Sequence, residues 1–181
     1  MTKIPAKDPR HNGPMDTAFT LRPAAEHDLP AIVGLIRELA DFEKLSHLVV
    51  VTPQSLQPHL FGPKPAAEAV VAEKTLQGQP TVVGFALFFT NFSTFLGQPG
   101  LYLEDLYVQP SHRGSGIGRA MLATLAQLAV QEGCGRFEWS VLDWNTQAIG
   151  FYEKMGAKVL DDWRICRVTG PELEALALQA A

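Results

Sequence analysis

The sequence lacks several features that would assign it to a particular class of protein. Two cysteines among 181 residues are too few for a disulfide framework, which favours a reducing compartment. The longest nearly apolar run, Val82 to Phe89, is far short of the ~20 residues that a membrane-spanning helix needs. The stretch Met1 to Asp16, interrupted by prolines and a glycine, has no apolar core of a signal peptide. We therefore expect a cytoplasmic protein without a membrane partner.

Positive charge and metal-binding patterns are also scarce. The formal net charge is −4, so a nucleic-acid partner is not expected. The five histidines are scattered, and no cysteine–histidine group has the spacing of a zinc site, so no metal is expected. What remains is an ordinary globular composition, 46% hydrophobic and 19% charged, in a chain long enough for one domain with a full core.

The hydrophobic pattern predicts a single mixed α/β domain over residues 18–181, after a disordered, proline-rich tail over residues 1–17. Period-two and continuous apolar runs predict strands at Ala18–Arg22, Ala67–Lys74, Thr81–Thr90, Leu101–Val108 and Phe137–Leu142, with two short ones within Val159–Val168. Helical spacing and capping signals predict helices that end near Glu43 and Gly133, and others at Pro53–Phe61, Thr146–Met155 and Pro171–Leu178. The stretch Asn91–Gly100 is predicted to be a loop.

A glycine-rich stretch, Arg113-Gly-Ser-Gly-Ile-Gly-Arg119, lies between a predicted strand and a predicted helix. Bare backbone N–H groups at a helix N-terminus form a ready site for phosphate. A P-loop would need a lysine after the last glycine, and the dinucleotide fingerprint would need a glycine where Arg119 stands. Because neither nucleotide motif fits well, a different phosphate-bearing cofactor or a turn without a ligand remains.

Three segments together resemble the GCN5-related N-acetyltransferase (GNAT) superfamily. They are Phe19–Pro23, the loop from Arg113 to Gly118, and the stretch from Asn145 to Ala157 with its Phe-Tyr pair. Two further stretches, Leu101–Val108 (LYLEDLYV) and Leu142–Asn145 (LDWN), are most similar to the diamine (spermidine/spermine, thialysine) N-acetyltransferase branch. The resemblance covers most of the chain. It implies a GNAT-type acyl-CoA N-acyltransferase fold, in which helices cover both faces of a central, twisted mixed sheet.

The resemblance also implies an enzyme that moves the acetyl group of acetyl-CoA to a primary amine by direct attack in a ternary complex. The glycine loop would bind the cofactor pyrophosphate, the end of strand Leu101–Val108 would pair with the pantetheine arm, and the Val108 N–H would be the oxyanion donor. The residues assigned to the cofactor on this basis are Leu106, Tyr107, Val108, Arg113, Gly114, Ser115, Gly116, Ile117, Gly118, Arg119, Asn145, Tyr152 and Lys154.

Two residues are candidates for the proton transfers of this reaction. Tyr152 stands at the position of the family's catalytic tyrosine, and a phenol with a pKa of ~10 stays protonated at neutral pH and can donate to a departing thiolate. Glu104 matches the acidic residue of the branch's central strand and would accept the substrate proton, directly or through water, or bind the cationic substrate. Strand alternation puts Glu104 and Asp105 on opposite faces, so a shared site requires a bulge or a bend, or else only one of the two acids faces it. Strands of the superfamily that this chain resembles splay at this point, which implies a bulge near Leu106.

Acidic and aromatic side chains are the natural lining for an amine. The residues predicted to contact the substrate are Phe42, Glu43, Glu104, Asp105, Glu138 and Trp139. After Phe42-Glu43 the chain reads Lys-Leu-Ser-His, where the polyamine enzymes are more acidic, and this favours short diamines or lysine-like amines over long polyamines. By analogy with the branch, a homodimer is expected. Two alternatives stay open: acetylation of a protein N-terminus or lysine, and an acyl-CoA-binding domain without turnover.

Overall fold

The computed structural model describes residues 18–180, so the predicted tail lies outside the described residues. The chain divides into two compact units, one that ends at Ser140 and one that begins at Val141. They are described in turn. The prediction of one domain over residues 18–181 stays a prediction.

The first unit is built around one five-stranded sheet. Its strands are β1 (Thr20–Pro23), β2 (Glu68–Leu76), β3 (Gln79–Ser93), β4 (Gln98–Val108) and β5 (Arg136–Trp139). Its α-helices are α1 (Leu29–Phe42), α2 (Pro53–Phe61) and α3 (Ile117–Gln131). The strands follow one another in sequence order across the sheet, and every neighbouring pair is antiparallel except β4 and β5, which are parallel. The predicted mixed α/β fold is confirmed.

Local signals explain where the helices begin and end. Pro30 stands in the first turn of α1, where its missing N–H removes no hydrogen bond. The N-cap residue of α2 is Thr52, whose hydroxyl accepts from the Ser55 N–H at 3.2 Å, as expected for a threonine in that position. Gly133 follows α3 with a φ of 68°, the left-handed conformation that glycine adopts at helix C-termini.

Helices cover both faces of the sheet, as the near-continuous apolar strands predicted. Val70 and Val71 are consecutive in β2 and so point to opposite faces, yet both are fully buried. Val71 belongs to a core cluster that includes Ile32 of α1 and Leu60 of α2. On the other face α3 contacts β2, β4 and β5.

The predicted loop over Asn91–Gly100 is correct only for its centre, residues 94–97, and is wrong at both ends. β3 continues to Ser93 and β4 begins at Gln98, so Asn91 pairs with Gly100 inside a long hairpin. Asparagine, glutamine and glycine in this stretch favour a turn locally. Cross-strand hydrogen bonds and packing override that local preference.

The second unit contains two helices among its described residues, α4 (Thr146–Lys154) and α5 (Pro171–Ala177), which confirms both helix predictions. The strands predicted within Val159–Val168 are wrong, because no residue from 141 to 180 is in a strand. A β-branched sequence forms a strand only where a neighbouring strand completes its hydrogen bonds, and none of the described residues of this unit supplies one.

β3 and β4 approach each other so closely at Gly84 that a larger residue there should destabilise the protein. A Cβ added to Gly84 would stand 2.8 Å from the carbonyl oxygen of Tyr107 and 3.2 Å from a methyl carbon of Val108. Gly84→Ala should therefore push away the end of β4 and lower the free energy of unfolding by about 1–3 kcal/mol. The matched control is Gly34→Ala in α1, where nothing lies within 4 Å of the added Cβ; it should be neutral or stabilise by up to about 1 kcal/mol. Urea unfolding measures both, and equal effects would contradict the close approach.

Candidate active site

β4 carries one extra residue at the position of the two candidate acids. Asp105 pairs with Leu87, whereas Leu103 pairs with the next residue of β3, so Glu104 has no partner on that strand. This irregularity is a β-bulge, a feature that often lies next to active sites. The sequence predicted a bulge near Leu106, and the register puts it two residues earlier.

The bulge brings both acids to the same face of the sheet. Asp105 pairs with Leu87 and Tyr102 pairs with Phe89. Since Leu87 and Phe89 are two residues apart, they and their partners share a face. Glu104 follows Tyr102 by two residues and lies on that face as well. Glu104 and Asp105 are consecutive in the strand, and yet they lie on the same face of the sheet.

Glu43, at the end of α1, is a third carboxylate whose charge affects the pKa of Asp105. Burial, together with the smaller effects of the negative charges of Glu104 and Glu43, raises the pKa of Asp105 to about 6. Burial also raises the pKa of Glu43, the residue that follows the last turn of α1. Carboxylates that disfavour one another's ionisation form a site that gains from a bound cation.

The grouping of Glu43, Glu104 and Asp105 should make the folded protein less stable as the pH rises. Because the pKa of Asp105 is raised from 3.8 to about 6, the folded protein holds this proton more tightly than the unfolded chain does. The stabilising contribution is fully present below pH 3.8 and is lost as the pH rises through about 6. Asp105→Asn should therefore raise the free energy of unfolding at pH 8 by up to about 3 kcal/mol, at ~1.36 kcal/mol per pKa unit.

Thermal or urea unfolding at pH 4 and pH 8 measures this difference. The gain from Asp105→Asn should nearly vanish at pH 4. Glu68→Gln, at an exposed position at the start of β2, is the matched control and should give no pH-dependent gain. A gain of equal size at both pH values would mean that the effect arises from packing and not from the charge of Asp105.

The glycine loop forms an open helix N-terminus. Gly114 and Gly116 have φ values of 75° and 87°, and no atom lies within 4 Å of a Cβ built on either. Gly116 is the N-cap residue of α3 and provides no side-chain cap for the helix. The first N–H groups of α3 therefore point into space that a side chain would otherwise fill. The Ser115 hydroxyl is turned inward and donates to the carbonyl oxygen of His112 at 2.6 Å.

One edge of β4 opens beside this loop. The parallel pairing with β5 runs from Gly100 to Leu103 and does not continue to the end of β4 within the described part of the unit. The Gln109 N–H donates to the Val83 carbonyl on β3 at 3.0 Å. Because consecutive backbone groups of a strand alternate in direction, the Val108 N–H faces the opposite edge, where β5 has already separated.

These two features fit acetyl-CoA. A helix N-terminus lined by glycines suits a pyrophosphate, and an unpaired strand edge suits an extended arm with amide groups that pair as an added strand would. Leu106, Tyr107 and Val108 lie on this edge strand, and Gly114 to Arg119 form the loop and the first turn of α3.

Gly116→Asp tests this assignment. The new side chain would occupy the open space before α3 and place a negative charge at the expected pyrophosphate, so the Kd of acetyl-CoA should rise at least about tenfold. The control is Gly78→Asp in the β2–β3 turn, which has a similar φ of 79° and equally open space. It imposes the same backbone strain and should leave the Kd unchanged. Calorimetric titration measures both, and equal Kd values for the two variants would contradict a cofactor site at the loop.

The two candidate substrate residues on β5 are placed differently from the acids. Glu138 pairs with Tyr102 and so lies on the acidic face, but it forms an ion pair with Arg136 at 2.9 Å. Trp139 pairs with Leu103, which lies on the opposite face, and its ring is 4.9 Å from that of Phe137. The register therefore does not bring Trp139 together with Asp105.

In the second unit the candidate residues are grouped on and around α4. The side chain of Asn145 caps the helix, because its Oδ1 accepts from the Ala148 N–H at 3.2 Å. The half-buried Tyr152 lies beside Phe151, with ring centroids 5.4 Å apart. Lys154 is exposed in the last turn, where a cation favours the helix dipole.

Glu38 is not among the residues that the sequence predicted for the site. Its carboxylate accepts from the Tyr107 hydroxyl at 3.2 Å and from the Gln109 side-chain amide at 2.9 Å, which ties α1 to the end of β4. Tyr107 is buried, and burial raises its pKa. A glutamate on a helix surface is usually solvated, so nothing local in the sequence separates Glu38 from the other acids of α1.

Residues 18–180 contain neither a metal-binding cluster nor a membrane-spanning helix. In that range no cluster of three or more histidine, cysteine or acidic side chains is arranged to hold a metal ion. No helix within the same residues has the length and apolar character to cross a bilayer.

Comparison with known proteins assigns the family. The acetyltransferase (GNAT) family model matches residues 36–157. A thialysine N-epsilon-acetyltransferase of Mus musculus is 39% identical, with 87% of this chain and 96% of that protein aligned. An L-ornithine N5-acetyltransferase of Arabidopsis thaliana is 34% identical, with 86% of each chain aligned. Among solved structures, an integron cassette protein from the mobile metagenome of V. cholerae matches with a TM-score of 0.71 and 26% identity, over 88% of this chain and 97% of that one.

The chain therefore belongs to the GNAT acetyltransferase family. This confirms the predicted superfamily and fold, and with them the predicted class of enzyme, an N-acetyltransferase that uses acetyl-CoA.

Proposed function

We propose that this chain acetylates a primary amine of a short diamine or of a lysine-like amino acid. The observation that supports this most directly is the bulge in β4, since it puts Glu104 and Asp105 on one face near the charge of Glu43. An amine is an ammonium at neutral pH, and such a cation relieves the repulsion among the carboxylates. The named substrates of the two relatives, thialysine and ornithine, are small amino acids with a side-chain amine.

Lys44, the residue after Glu43, favours a short amine substrate over a long polyamine. Lys44 follows Glu43 directly and is exposed. A long polyamine that placed a second ammonium beyond Glu43 would approach the positive charge of Lys44, which costs binding energy. A short diamine or an amino acid keeps its positive charge within the group formed by Glu43, Glu104 and Asp105.

The role that we propose for each residue follows from the protons that must leave the amine and reach the departing sulfur. Glu104, with Asp105 beside it, takes the proton from the ammonium, directly or through water, so that the nitrogen lone pair attacks the acetyl carbon. The Val108 N–H donates to the developing oxyanion. The carbon–sulfur bond then breaks, and the Tyr152 hydroxyl gives its proton to the departing sulfur. The second proton that the nitrogen must lose to become an amide passes to the Tyr152 oxygen, directly or through water, and restores its hydroxyl. Gly114 to Arg119, with Asn145 and Lys154, would hold the cofactor, and Phe42 and Glu138 would border the amine.

The proposal extends to the state of the protein in the cell. By the resemblance to the diamine N-acetyltransferase branch, the enzyme acts as a cytoplasmic homodimer and needs no metal. Sedimentation of the purified protein, together with activity in the presence of a chelator, would test the dimer and the metal independence.

The experiment that tests the function is thiol release from acetyl-CoA with a panel of amines. The panel contains short diamines, ornithine, lysine, thialysine, spermidine, spermine and a peptide with a free N-terminus. We expect the highest kcat/KM with a short diamine or a lysine-like amino acid. A preference for spermine would overturn the acceptor length, and turnover of the peptide alone would indicate a protein acetyltransferase. Cofactor binding without any turnover would indicate a non-catalytic acyl-CoA-binding domain.

Tyr152→Phe tests the proposed acid. The change removes only a hydroxyl, so kcat should fall about 10²- to 10⁴-fold with little loss of stability. Tyr102→Phe is the matched control, because it removes a hydroxyl that is 2.8 Å from the Ser140 hydroxyl and has no proposed part in the chemistry. Steady-state kinetics with the best amine would reveal the difference. If kcat were the same for Tyr152→Phe and wild type, the acid would have to be another group.

A further inference from the structure

Arg113, the first residue of the glycine loop, is turned back toward the sheet. Its Nε donates to the Val108 carbonyl oxygen at 2.9 Å. Its guanidinium carbon lies 5.4 Å from the ring centroid of Phe42 and 5.4 Å from that of Tyr107. Both distances are within the range of cation–π attraction, and the flat guanidinium suits two ring contacts at once.

The backbone of Arg113 is also used within the protein. Its N–H donates to the Pro110 carbonyl oxygen at 3.3 Å and closes a short turn between β4 and the loop. Two donors of this residue, one from the main chain and one from the side chain, are therefore already used in hydrogen bonds within the protein. Arg119, at the other end of the loop, is exposed in the first turn of α3.

The Val108 carbonyl is the last of β4 and faces the edge from which β5 has separated. A carbonyl on an open strand edge has no partner strand, and here the Arg113 side chain takes that place. The same contacts reach Phe42, the last residue of α1, which lies next to Glu43. Arg113 thus joins the end of β4, the start of the loop and the end of α1.

We propose that Arg113 is a positioning residue that fixes the end of β4, and not a ligand of the cofactor phosphates. By holding the Val108 carbonyl it sets the place of the Val108 N–H on the same residue. Through Phe42 it keeps that strand end in register with the acidic group near α1. Its effect on turnover rests on the proposed function, whereas its hold on β4 does not.

Amide hydrogen exchange in the protein without cofactor or amine tests the hold on β4. The probe is the Gln109 amide, which donates to Val83 next to the held carbonyl. Arg113→Ala should accelerate its exchange about tenfold, because a hydrogen bond to a charged group is lost. Arg113→Lys should do nearly the same, since an ammonium has no flat face to lie against both rings. Arg119→Ala removes the same charge from the other end of the loop and should leave the exchange unchanged.

A second measurement separates positioning from phosphate binding. At saturating substrates, both Arg113 variants should lower kcat about 10- to 100-fold through misplacement of the reacting groups, while the Kd of CoA changes less than about threefold. A Kd that rises tenfold or more in Arg113→Ala and returns in Arg113→Lys, with unchanged exchange at Gln109, would make Arg113 a phosphate ligand and overturn the proposal. Unchanged exchange in every variant would also overturn it.

Two further comparisons keep the outcomes distinct. If Arg113→Ala does not fold, Phe42→Leu removes one of the two rings and should give an intermediate acceleration at Gln109; no acceleration would count against the proposal. If the wild-type protein turns over none of the amines in the panel, the proposed function fails. The exchange result still decides whether Arg113 holds β4.

Discussion

The extra residue in β4 is the constraint on which the candidate site depends. Before the bulge, Leu103 lies on the face away from α1, and after it Tyr107 packs into the core beneath α1. A strand without the bulge would keep one parity throughout and would send either Glu104 or Asp105 into the opposite layer. With it, both carboxylates lie toward α1. The parallel pairing with β5 also reaches only to Leu103, so the open edge of β4 begins where the acids stand.

Gathering carboxylates in this way costs stability in the unliganded protein. Burial and two neighbouring negative charges hold the pKa of Asp105 near 6, so its ionisation at neutral pH costs more free energy in the folded protein than in the unfolded chain. A hydrophobic residue at this position would remove that cost but would also remove the attraction for a cation. Local conflicts of this kind are typical of functional sites, where one residue departs from what stability alone would select. By contrast, Val70, Val71 and Phe85 of the neighbouring strands are fully buried apolar residues.

Elements with strong local signals were predictable. The spacing of the apolar residues and the glycine after α3 predicted where that helix ends, and α2 was predicted with its observed bounds, Pro53–Phe61. The extension of β3 to Ser93 was not predictable, since its polar residues become strand only when Gly100 and its neighbours pair with them. The converse holds at Val159–Val168, where a β-rich sequence lacks a partner strand among the described residues of its unit. The family resemblance implied a bulge in this strand, but its position depended on the hairpin register.

By itself the sequence determined the family, the order of the helices and most strands, and the glycine-rich start of α3. Each of these depends on residues close together in the chain, through helical spacing, capping and the φ values that glycine permits. Only the tertiary structure decided that Glu104 and Asp105 share a face, that Trp139 lies on the other one, and that Arg113 turns back to Val108. These facts depend on which residues of different strands and helices become neighbours. That is set by register and packing across the whole sheet, which no short stretch of sequence specifies.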